Sequence, residues 1–280
     1  MYPILYQFSE TFAIKSYGVA IALAFLIGIL LATWRAKKEG LKPNDFLDIG
    51  FIIVISAIVG SRLFYVLFNL NDYIENPAAI FQIWHGGLVF YGGLAIAALG
   101  AMLYMKYRKI PTMYGTDIIA PSVALGYVIT RIGCFLNGCC YGHETHWFTG
   151  VHGWKEGTGA AMYTGGLFFS KLFGGEAVPE VIKLHPTQLY AAGINLVFFV
   201  VLFLLWGKRK FDGMIFWLYI MMYSVYRFFI EYFRADNEPF LLDMTIAQIM
   251  SIVLLICAVV AFIVSYKSSP LHRDNKLVKR

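Results

Sequence analysis

The sequence predicts an all-α polytopic membrane protein with about seven transmembrane helices, its N-terminus outside and its C-terminus in the cytoplasm. Three observations lead to this prediction. Apolar residues make up 59% of the 280 residues and charged residues only 14%, against about 25% charged residues in a soluble domain. The apolar residues form blocks of about 20, the length of helix that crosses a bilayer. Lysine and arginine collect in alternate connections between the blocks, as the positive-inside rule requires.

The predicted spans cover residues 16–34, 46–70, 86–106, 116–136, 186–206, 213–233 and 245–266. Every backbone amide inside a bilayer must be paired within its own segment, so blocks of this length are predicted to be helices. The strands of a membrane barrel would be about half as long and would alternate in polarity.

The orientation is predicted from the basic residues. The 35–45, 106–115 and 207–212 connections and the tail after residue 266 are basic, whereas residues 71–83 and 235–244 contain no lysine or arginine. The net charge of +6 is thereby explained by topology, and we expect no nucleic-acid partner. The first dozen residues lack a basic region, so no removable signal peptide is predicted.

The whole chain, residues 1–280, is predicted to be a single membrane-embedded domain. One long connection, residues 137–185, lies on the outer side and is rich in glycine and aromatic residues, including Trp147, Trp154, Phe168 and Phe169. Connections of this length without a role are uncommon in ordered proteins. We expect an ordered extracytoplasmic cap on the outer leaflet.

Ionisable residues inside predicted spans indicate functional sites, because they are costly in lipid. In the second span, Arg62, Tyr65 and Asn69 share one helical face. Arg62 lies near the outer end of this span, so it could instead extend to the lipid headgroups.

The sixth span carries Tyr223, Arg227, Glu231 and Arg234 at helical spacing, on one predicted stripe. Arg227 and Glu231 can pair at i,i+4, which lowers the cost of burying both. An ion pair with a purely structural role needs no second arginine. The surplus positive charge therefore indicates an anionic ligand.

Three further motifs lie near the outer ends of spans. Paired glycines in residues 84–93 allow close approach of backbone to a ligand or to a neighbouring helix. Near the end of the fourth predicted span, Arg131 is expected to end the helix and to be followed by a turn of glycine, cysteine and asparagine. The His185-Pro186-Thr187-Gln188 segment opens the fifth span, with proline where a helix start tolerates it.

Together these motifs resemble the bacterial prolipoprotein diacylglyceryl transferase family. The resemblance extends from the Tyr17-Gly18 pair to Arg234, with every motif in the family's order. It implies transfer of the diacylglyceryl group of phosphatidylglycerol to the lipobox cysteine of a secreted prolipoprotein. The product is a thioether, and glycerol phosphate is released. It also implies a location in the bacterial cytoplasmic (inner) membrane, with phosphatidylglycerol, prolipoprotein signal peptides and membrane lipids as partners, and with no cofactor or metal.

The resemblance also implies roles for individual residues. Arg131 and Arg227 match the arginines expected to hold the phosphate and stabilise the departing glycerol phosphate, since guanidinium groups bind phosphate oxygens bidentately. Glu231 is expected to orient Arg227, and Tyr91 occupies the position of the family's acid–base histidine. Besides Arg131, the residues expected to bind substrate are Tyr17, Arg62, Asn137, Gly142, Tyr223, Arg234, His185 and Gln188.

The sequence departs from the family pattern at several positions. Tyr91 replaces a histidine, Cys134 and Cys139 replace an asparagine and a glutamate, and Ala191 stands where glutamate is common. A second hypothesis is therefore a diverged relative that transfers a glycerolipid moiety to another acceptor. A third is an anion or lipid transporter, which the absence of a hydropathy repeat and the outer-side clustering of charges disfavour.

Cys134, Cys139 and Cys140 lie close to His143, His146 and His152 in the sequence. Three interpretations stay open for them. They could bind zinc, although the paired CxxC spacing of structural zinc sites is missing. They could form a disulfide such as Cys134–Cys139 on an oxidising exterior. They could also remain free thiols.

Overall fold

The computed structural model describes residues 4–8, 13–74, 76–82, 86–155, 161–163, 181–235 and 240–269. In these ranges the chain forms eight α-helices, which are α1 (Ser16–Lys38), α2 (Pro43–Phe68), α3 (Leu70–Ile74), α4 (Phe90–Tyr107), α5 (Thr112–Asn137), α6 (Thr187–Leu205), α7 (Met214–Ile230) and α8 (Ile246–Ser268). The strands are β1 (Ile4–Gln7), β2 (Ala13–Lys15), β3 (Val151–Lys155), β4 (Ala161–Tyr163) and β5 (Val181–Leu184).

Six helical segments of the described ranges are long and apolar enough to cross a membrane, which confirms the all-α polytopic fold class. They are α1, α2, α5, α8, and α6 and α7 with the 3₁₀ turns that extend them. The remaining long helix, α4, has 18 residues, which span about 27 Å at 1.5 Å per residue. It includes a lysine, two adjacent glycines and three tyrosines, and it is not one of those six segments. The count of seven spans and the orientation stay predictions.

Three predicted helix boundaries are wrong. The third span does not begin at Gly86, because Gly86 and Gly87 have φ angles of 88° and 74° and helix α4 begins only at Phe90. The fourth span does not end at Arg131 but continues to Asn137.

In the sixth span, α7 ends at Ile230 and a 3₁₀ turn covers Glu231–Phe233. Arg234 follows in extended conformation, with φ −87° and ψ 139°. It therefore does not continue the helical stripe of Tyr223, Arg227 and Glu231. The last carbonyl groups of an α-helix have no further partners within the helix. The final turn can therefore tighten from α to 3₁₀ geometry.

The chain divides into two compact units. The first comprises residues 1–28 and 119–280. In it α7 packs against α6 and α8, and small residues of α5 meet large side chains of α6 and α7. This core contains Ala120, Ala124, Leu202, Ile215 and Tyr219.

The second unit comprises residues 29–118, and its main contact joins α2 and α4. Glycines bring these two helices together. A Cβ at Gly60 would lie 2.7 Å from the Gly92 carbonyl oxygen, and one at Gly93 would lie 2.8 Å from the Ala57 carbonyl oxygen. Of the two interpretations of the paired glycines, the structure shows close helix packing at Gly92 and Gly93.

The predicted cap contains a small antiparallel sheet in the order β4-β3-β5. Trp147 of the cap packs edge-on against His185, with ring centroids 5.4 Å apart. Phe168 and Phe169 lie outside the described residues. The single transferase domain, with residues 137–185 as its cap, stays a prediction.

Candidate functional site

Arg131 lies in the last two turns of α5, beside Tyr127 from the preceding turn. Its Nη2 donates a hydrogen bond of 2.6 Å to the Tyr127 hydroxyl, and its guanidinium carbon lies 4.7 Å from the Tyr127 ring centroid. The hydroxyl and the ring of Tyr127 are both uncharged groups. Within the described part of the chain, the Arg131 guanidinium forms no ion pair with a carboxylate. Its charge is therefore available to an anionic ligand.

A cluster of tyrosines surrounds this arginine. The Tyr127 ring centroid is 5.7 Å from that of Tyr223 and 6.5 Å from that of Tyr226, in edge-to-face arrangements. Tyr223 lies within electrostatic range of both Arg227 and Arg131. The two arginines that the sequence singled out therefore border one tyrosine cluster.

Arg227 has a different environment from Arg131, because its charge is neutralised. Its Nη1 forms an ion pair with Oε2 of Glu231, whose side chain is almost fully buried. The other carboxylate oxygen of Glu231 accepts a hydrogen bond of 2.7 Å from Thr245 Oγ1 at the start of α8. Arg234 Nε lies 4.0 Å from Glu231 Oε2. Two guanidinium groups thus lie beside one carboxylate.

The turn after α5 is fixed by the segment that opens α6. Gln188 Nε2 donates to the Cys139 carbonyl oxygen at 2.5 Å, and Thr187 Oγ1 donates to the Cys140 carbonyl oxygen at 2.6 Å. The Gly142 amide donates to the His185 carbonyl oxygen at 2.9 Å. Gln188, which the resemblance assigns to substrate binding, is fully buried and holds this turn.

Gly142 is a point of close approach between chain segments. It pairs with Arg234 as an isolated antiparallel bridge. A Cβ there would overlap the Phe233 carbonyl oxygen and lie 2.7 Å from the His185 Cβ. Only glycine fits at this position, so in this structure Gly142 allows Arg234 to be placed beside the turn.

His185 is buried among aromatic side chains. Its ring packs edge-on against Trp147 and Phe233, with centroids 5.4 and 5.2 Å away. Its Nδ1 lies 3.3 Å from the Tyr190 hydroxyl. Burial, with a smaller contribution from His143, lowers the pKa of His185. The imidazole is therefore neutral at neutral pH, and it is suited to a hydrogen bond and not to binding an anion by charge.

Two more predicted residues lie near Arg131 in the first unit. Tyr17, in the first turn of α1, is within electrostatic range of Cys134 and Arg131. The Tyr17 Cα would lie 3.7 Å from a Cβ at Gly133, so α1 closely approaches the end of α5. Asn137 is the last residue of α5, and its side chain interacts with Cys139.

Arg62 belongs to the second unit, where backbone carbonyls surround it. Its guanidinium donates to the carbonyl oxygens of Ala79 (2.7 Å), Ile80 (2.8 Å), Gly86 (2.9 Å) and Gly87 (3.1 Å). The rings of Tyr65 and Tyr73 lie 5.6 and 5.4 Å from its guanidinium carbon. Arg62 is buried and not extended toward headgroups, and it borders a cavity of about 290 Å³.

Tyr91 and Asn69 also belong to the second unit. Tyr91 lies in the first turn of α4, largely exposed, with its ring 5.7 Å from that of Phe90. Asn69 ends α2 and donates to the Tyr65 carbonyl oxygen at 2.8 Å. Asn69 is thus a helix cap in this structure. Trp84 and His85 lie outside the described residues.

Sequence reasoning missed Tyr127 and Thr245, and it named Thr187 only as part of the segment that opens the fifth span. Tyr127 could have been found from its position four residues before Arg131, which places both on one helical face. Thr245 and Gln248 have the spacing of a capping box, and the structure contains that box at the start of α8. Nothing in the sequence indicated that Thr245 would also bind Glu231, because the two residues lie on different elements.

The fold and the site define a multi-pass membrane protein with a cationic, tyrosine-lined site suited to an anionic group. The family model described as prolipoprotein diacylglyceryl transferase matches residues 3–264, and the chain belongs to this family. The resemblance seen in the motifs is thereby confirmed.

Curated relatives cover nearly the whole chain. One from Clostridium tetani is 32% identical over 266 residues, which are 94% of this chain and 97% of the relative. One from Clostridium botulinum strain Langeland is 33% identical over 260 residues, 92% of this chain and 95% of the relative. One from Bacillus licheniformis is 33% identical over 267 residues, 95% of this chain and 92% of the relative. All three are named phosphatidylglycerol–prolipoprotein diacylglyceryl transferase.

Proposed function

We propose that this protein transfers the diacylglyceryl group of phosphatidylglycerol to the thiol of the lipobox cysteine in secreted prolipoproteins, releasing glycerol phosphate. The reaction takes place at the bacterial cytoplasmic (inner) membrane, and no nucleic acid takes part. The names of the relatives support the lipid and protein substrates. The observation that carries the proposal is the Arg131 guanidinium, which rests on the neutral Tyr127 near the Glu231-bound Arg227.

The chemistry explains why guanidinium groups are useful at this site. A bond forms between the cysteine sulfur and a glycerol carbon of the lipid, while the bond from that carbon to a phosphate oxygen breaks. The phosphodiester begins with one negative charge, and the leaving glycerol phosphate gains a second as the bond breaks. Guanidinium donors aimed at that oxygen stabilise the charge that develops in the transition state.

The arginines have separate roles in this proposal. Arg131 binds the phosphate, and Arg227, positioned by Glu231, donates to the leaving group. Arg234, Tyr17, Tyr223 and Asn137 line the headgroup region. Gly142, Gln188 and His185 act on substrate through the turn that they hold.

Tyr91 is the proposed proton-transfer residue in place of histidine, and Arg62 positions the segment before α4. The acceptor thiol reacts as its thiolate, so its proton must be removed.

Complementation tests the proposal. The chain is expressed in bacteria depleted of their own diacylglyceryl transferase, and the mass of a prolipoprotein is followed. We expect a mass gain of one diacylglyceryl group with the unaltered chain. Arg131→Lys and Arg227→Lys should each lose at least about 100-fold in rate, because lysine cannot bind phosphate bidentately.

The matched control is Arg108→Lys. Arg108 pairs with Asp45 in the second unit and takes no part in the proposed chemistry, so its replacement should leave the rate within about twofold. A precursor that gains no mass despite good expression of the unaltered chain would refute the proposal.

A second candidate function is transfer of a glycerolipid moiety to another acceptor. It is favoured by Tyr91, Cys134 and Cys139, which stand where the family pattern has histidine, asparagine and glutamate. Consumption of phosphatidylglycerol without any mass gain on the prolipoprotein would support this candidate over the first.

A further inference from the structure

Three thiols converge next to the proposed phosphate site. The Sγ atoms of Cys134, Cys139 and Cys140 all lie within 4.8 Å of one another. Among the described residues, they form the one group of three or more histidine, cysteine or acidic side chains whose ligand atoms converge in this way. Cys134 is buried in the last turns of α5, and the other two thiols are half-buried in the turn that follows. The proposed transfer reaction does not use them.

The backbone explains how adjacent cysteines can face the same point. Neighbouring residues in an extended chain direct their side chains to opposite sides. Here Gly138 has φ 80° and Cys140 has φ 62°, so the chain reverses after α5. The left-handed conformation is unfavourable for a non-glycine residue. It brings both sulfur atoms of the turn back toward Cys134.

Hydrogen bonds from α6 fix this arrangement. Gln188 and Thr187 bind the carbonyl oxygens of Cys139 and Cys140, as described above. The Cys139 thiol itself lies 3.7 Å from the Cys134 carbonyl oxygen. The backbone of the two turn cysteines is therefore held by side chains of α6, and such positioning by groups around the ligands favours a metal site.

The spacing of the sulfur atoms suits a single metal ion. Zinc–thiolate bonds are about 2.3 Å long, which places three sulfur ligands roughly 3.8–4.0 Å apart in tetrahedral or trigonal geometry. The observed limit of 4.8 Å requires each pair to close by less than about 1 Å. Side-chain rotation can supply a movement of that size without a change in the backbone.

The charge of the surroundings also favours a thiolate-bound ion. Three thiolates with a divalent ion carry a net charge of −1, and with a monovalent ion −2. Arg234 and Arg131 both lie within electrostatic range of Cys140. These guanidinium groups offset the negative charge of the complex. Thiolate ligands select soft ions over magnesium or calcium.

We propose that Cys134, Cys139 and Cys140 together bind one soft, thiophilic d¹⁰ cation, Zn²⁺ or Cu⁺, through three thiolates. Binding releases the three thiol protons to solvent. Zn²⁺ would complete its tetrahedron with water, and Cu⁺ would be three-coordinate. The sequence left three interpretations open, namely zinc binding, a disulfide and free thiols. The structure contains free thiols, and the proposal is that they serve as the ligands of a metal ion.

The test uses the full-length protein in detergent, reduced and then freed of reductant. Cd²⁺ is added as the probe, and thiolate-to-metal charge-transfer absorbance and bound metal per chain are measured. We expect one Cd²⁺ per chain. Cys139→Ser and Cys140→Ser should each weaken binding by more than the roughly 10–100-fold that loss of an outer-shell partner costs. Displacement of Cd²⁺ by Zn²⁺ assigns zinc, and displacement by Cu⁺ alone assigns copper.

The matched control is Cys257→Ser. Cys257 is exposed on α8, so its replacement should leave Cd²⁺ affinity and stoichiometry unchanged. Equal unfolding temperatures of the metal-free proteins exclude misfolding of the variants.

Three results would overturn the proposal. Cd²⁺ binding could be unaffected in both turn variants, or it could be weak and without fixed stoichiometry. Alternatively, alkylation before and after reduction could show that two of the three thiols form a disulfide in the protein as isolated.

Discussion

The arginines of the site differ in what surrounds their charge. Arg131 contacts a hydroxyl and an aromatic ring, while Arg227 forms an ion pair with a nearly buried carboxylate. A guanidinium that is paired with a carboxylate is fixed in orientation, but the carboxylate compensates its positive charge. One held by neutral groups keeps its charge for a ligand. This contrast supports the proposed roles, phosphate binding for Arg131 and donation to the leaving group for Arg227.

Replacing Glu231 by glutamine tests that difference. Glu231→Gln keeps the size of the side chain and removes the charge that Arg227 and Arg234 share. We expect the free energy of unfolding to fall by about 3–5 kcal/mol, because a buried ion pair loses one partner. The transfer rate should fall as well, because Arg227 loses its orientation. Unfolding in detergent and transfer kinetics measure the two effects.

Thr245→Val is the matched control for Glu231→Gln. It removes the hydrogen bond from Thr245 to Glu231 and the N-cap hydrogen bond from the Gln248 amide to Thr245 Oγ1, and we expect a loss of about 1–2 kcal/mol with the ion pair intact. An equal loss in both variants would contradict the central role of the carboxylate charge.

A second residue-scale prediction concerns Gly142, where there is no room for a side chain. Gly142→Ala would force a Cβ into the Phe233 carbonyl oxygen and against His185. We expect a destabilisation of about 1–3 kcal/mol, the usual range for overpacking, together with reduced activity from displaced Arg234. The unfolding temperature in a single detergent measures the stability change.

Gly193→Ala in α6 is the control for Gly142→Ala. A Cβ at Gly193 meets nothing within 4 Å. We expect this change to be neutral or to stabilise by up to ~1 kcal/mol, because alanine favours helix. If Gly142→Ala were as stable as Gly193→Ala, the close-packing role of Gly142 would be wrong.

At the scale of elements, Arg62 connects α2 to the segment that precedes α4. Its four hydrogen bonds reach carbonyl oxygens on both sides of residues 83–85. The amide of Val89 adds a hydrogen bond of 3.0 Å to the Ser61 carbonyl oxygen. The described part of this segment includes a 3₁₀ helix, Pro77–Phe81, and these contacts hold the segment against α2.

Lysine at this position should loosen the segment. Arg62→Lys keeps the charge but cannot donate to four carbonyl oxygens at once. We expect amide hydrogen exchange of residues 76–82 and 86–90 to accelerate by at least about tenfold, since each charge-assisted hydrogen bond contributes roughly 1.5–3 kcal/mol. Arg108→Lys should leave exchange there unchanged. Unaltered exchange in Arg62→Lys would show that other contacts hold the segment.

At the scale of the whole molecule, topology follows from the placement of basic residues. An alkaline phosphatase fusion at Asn76 should be active, and fusions at Lys109 and Lys210 should be inactive, because positively charged connections remain in the cytoplasm. A fluorescent protein that folds only in the cytoplasm should give the opposite pattern at the same three sites. An active phosphatase at Lys109 would contradict the predicted orientation.

Much of the fold was predictable because a bilayer imposes it. Apolar blocks of span length had to be helices, and the predicted blocks match the observed helices apart from their ends. The ends were less predictable, because they depend on local backbone choices. Gly86 and Gly87 delay the start of α4, and α7 changes to a 3₁₀ turn at Glu231.

The sequence by itself determined the membrane class, the helical blocks and the pairing of Arg227 with Glu231. Each of these follows from composition or from a spacing of four residues within one helix. Only the tertiary structure decided which charges are neutralised. It placed Thr245 on Glu231, backbone carbonyls around Arg62, and three thiols at one point. The physical reason is that these contacts join segments distant in sequence, and local periodicity carries no information about them.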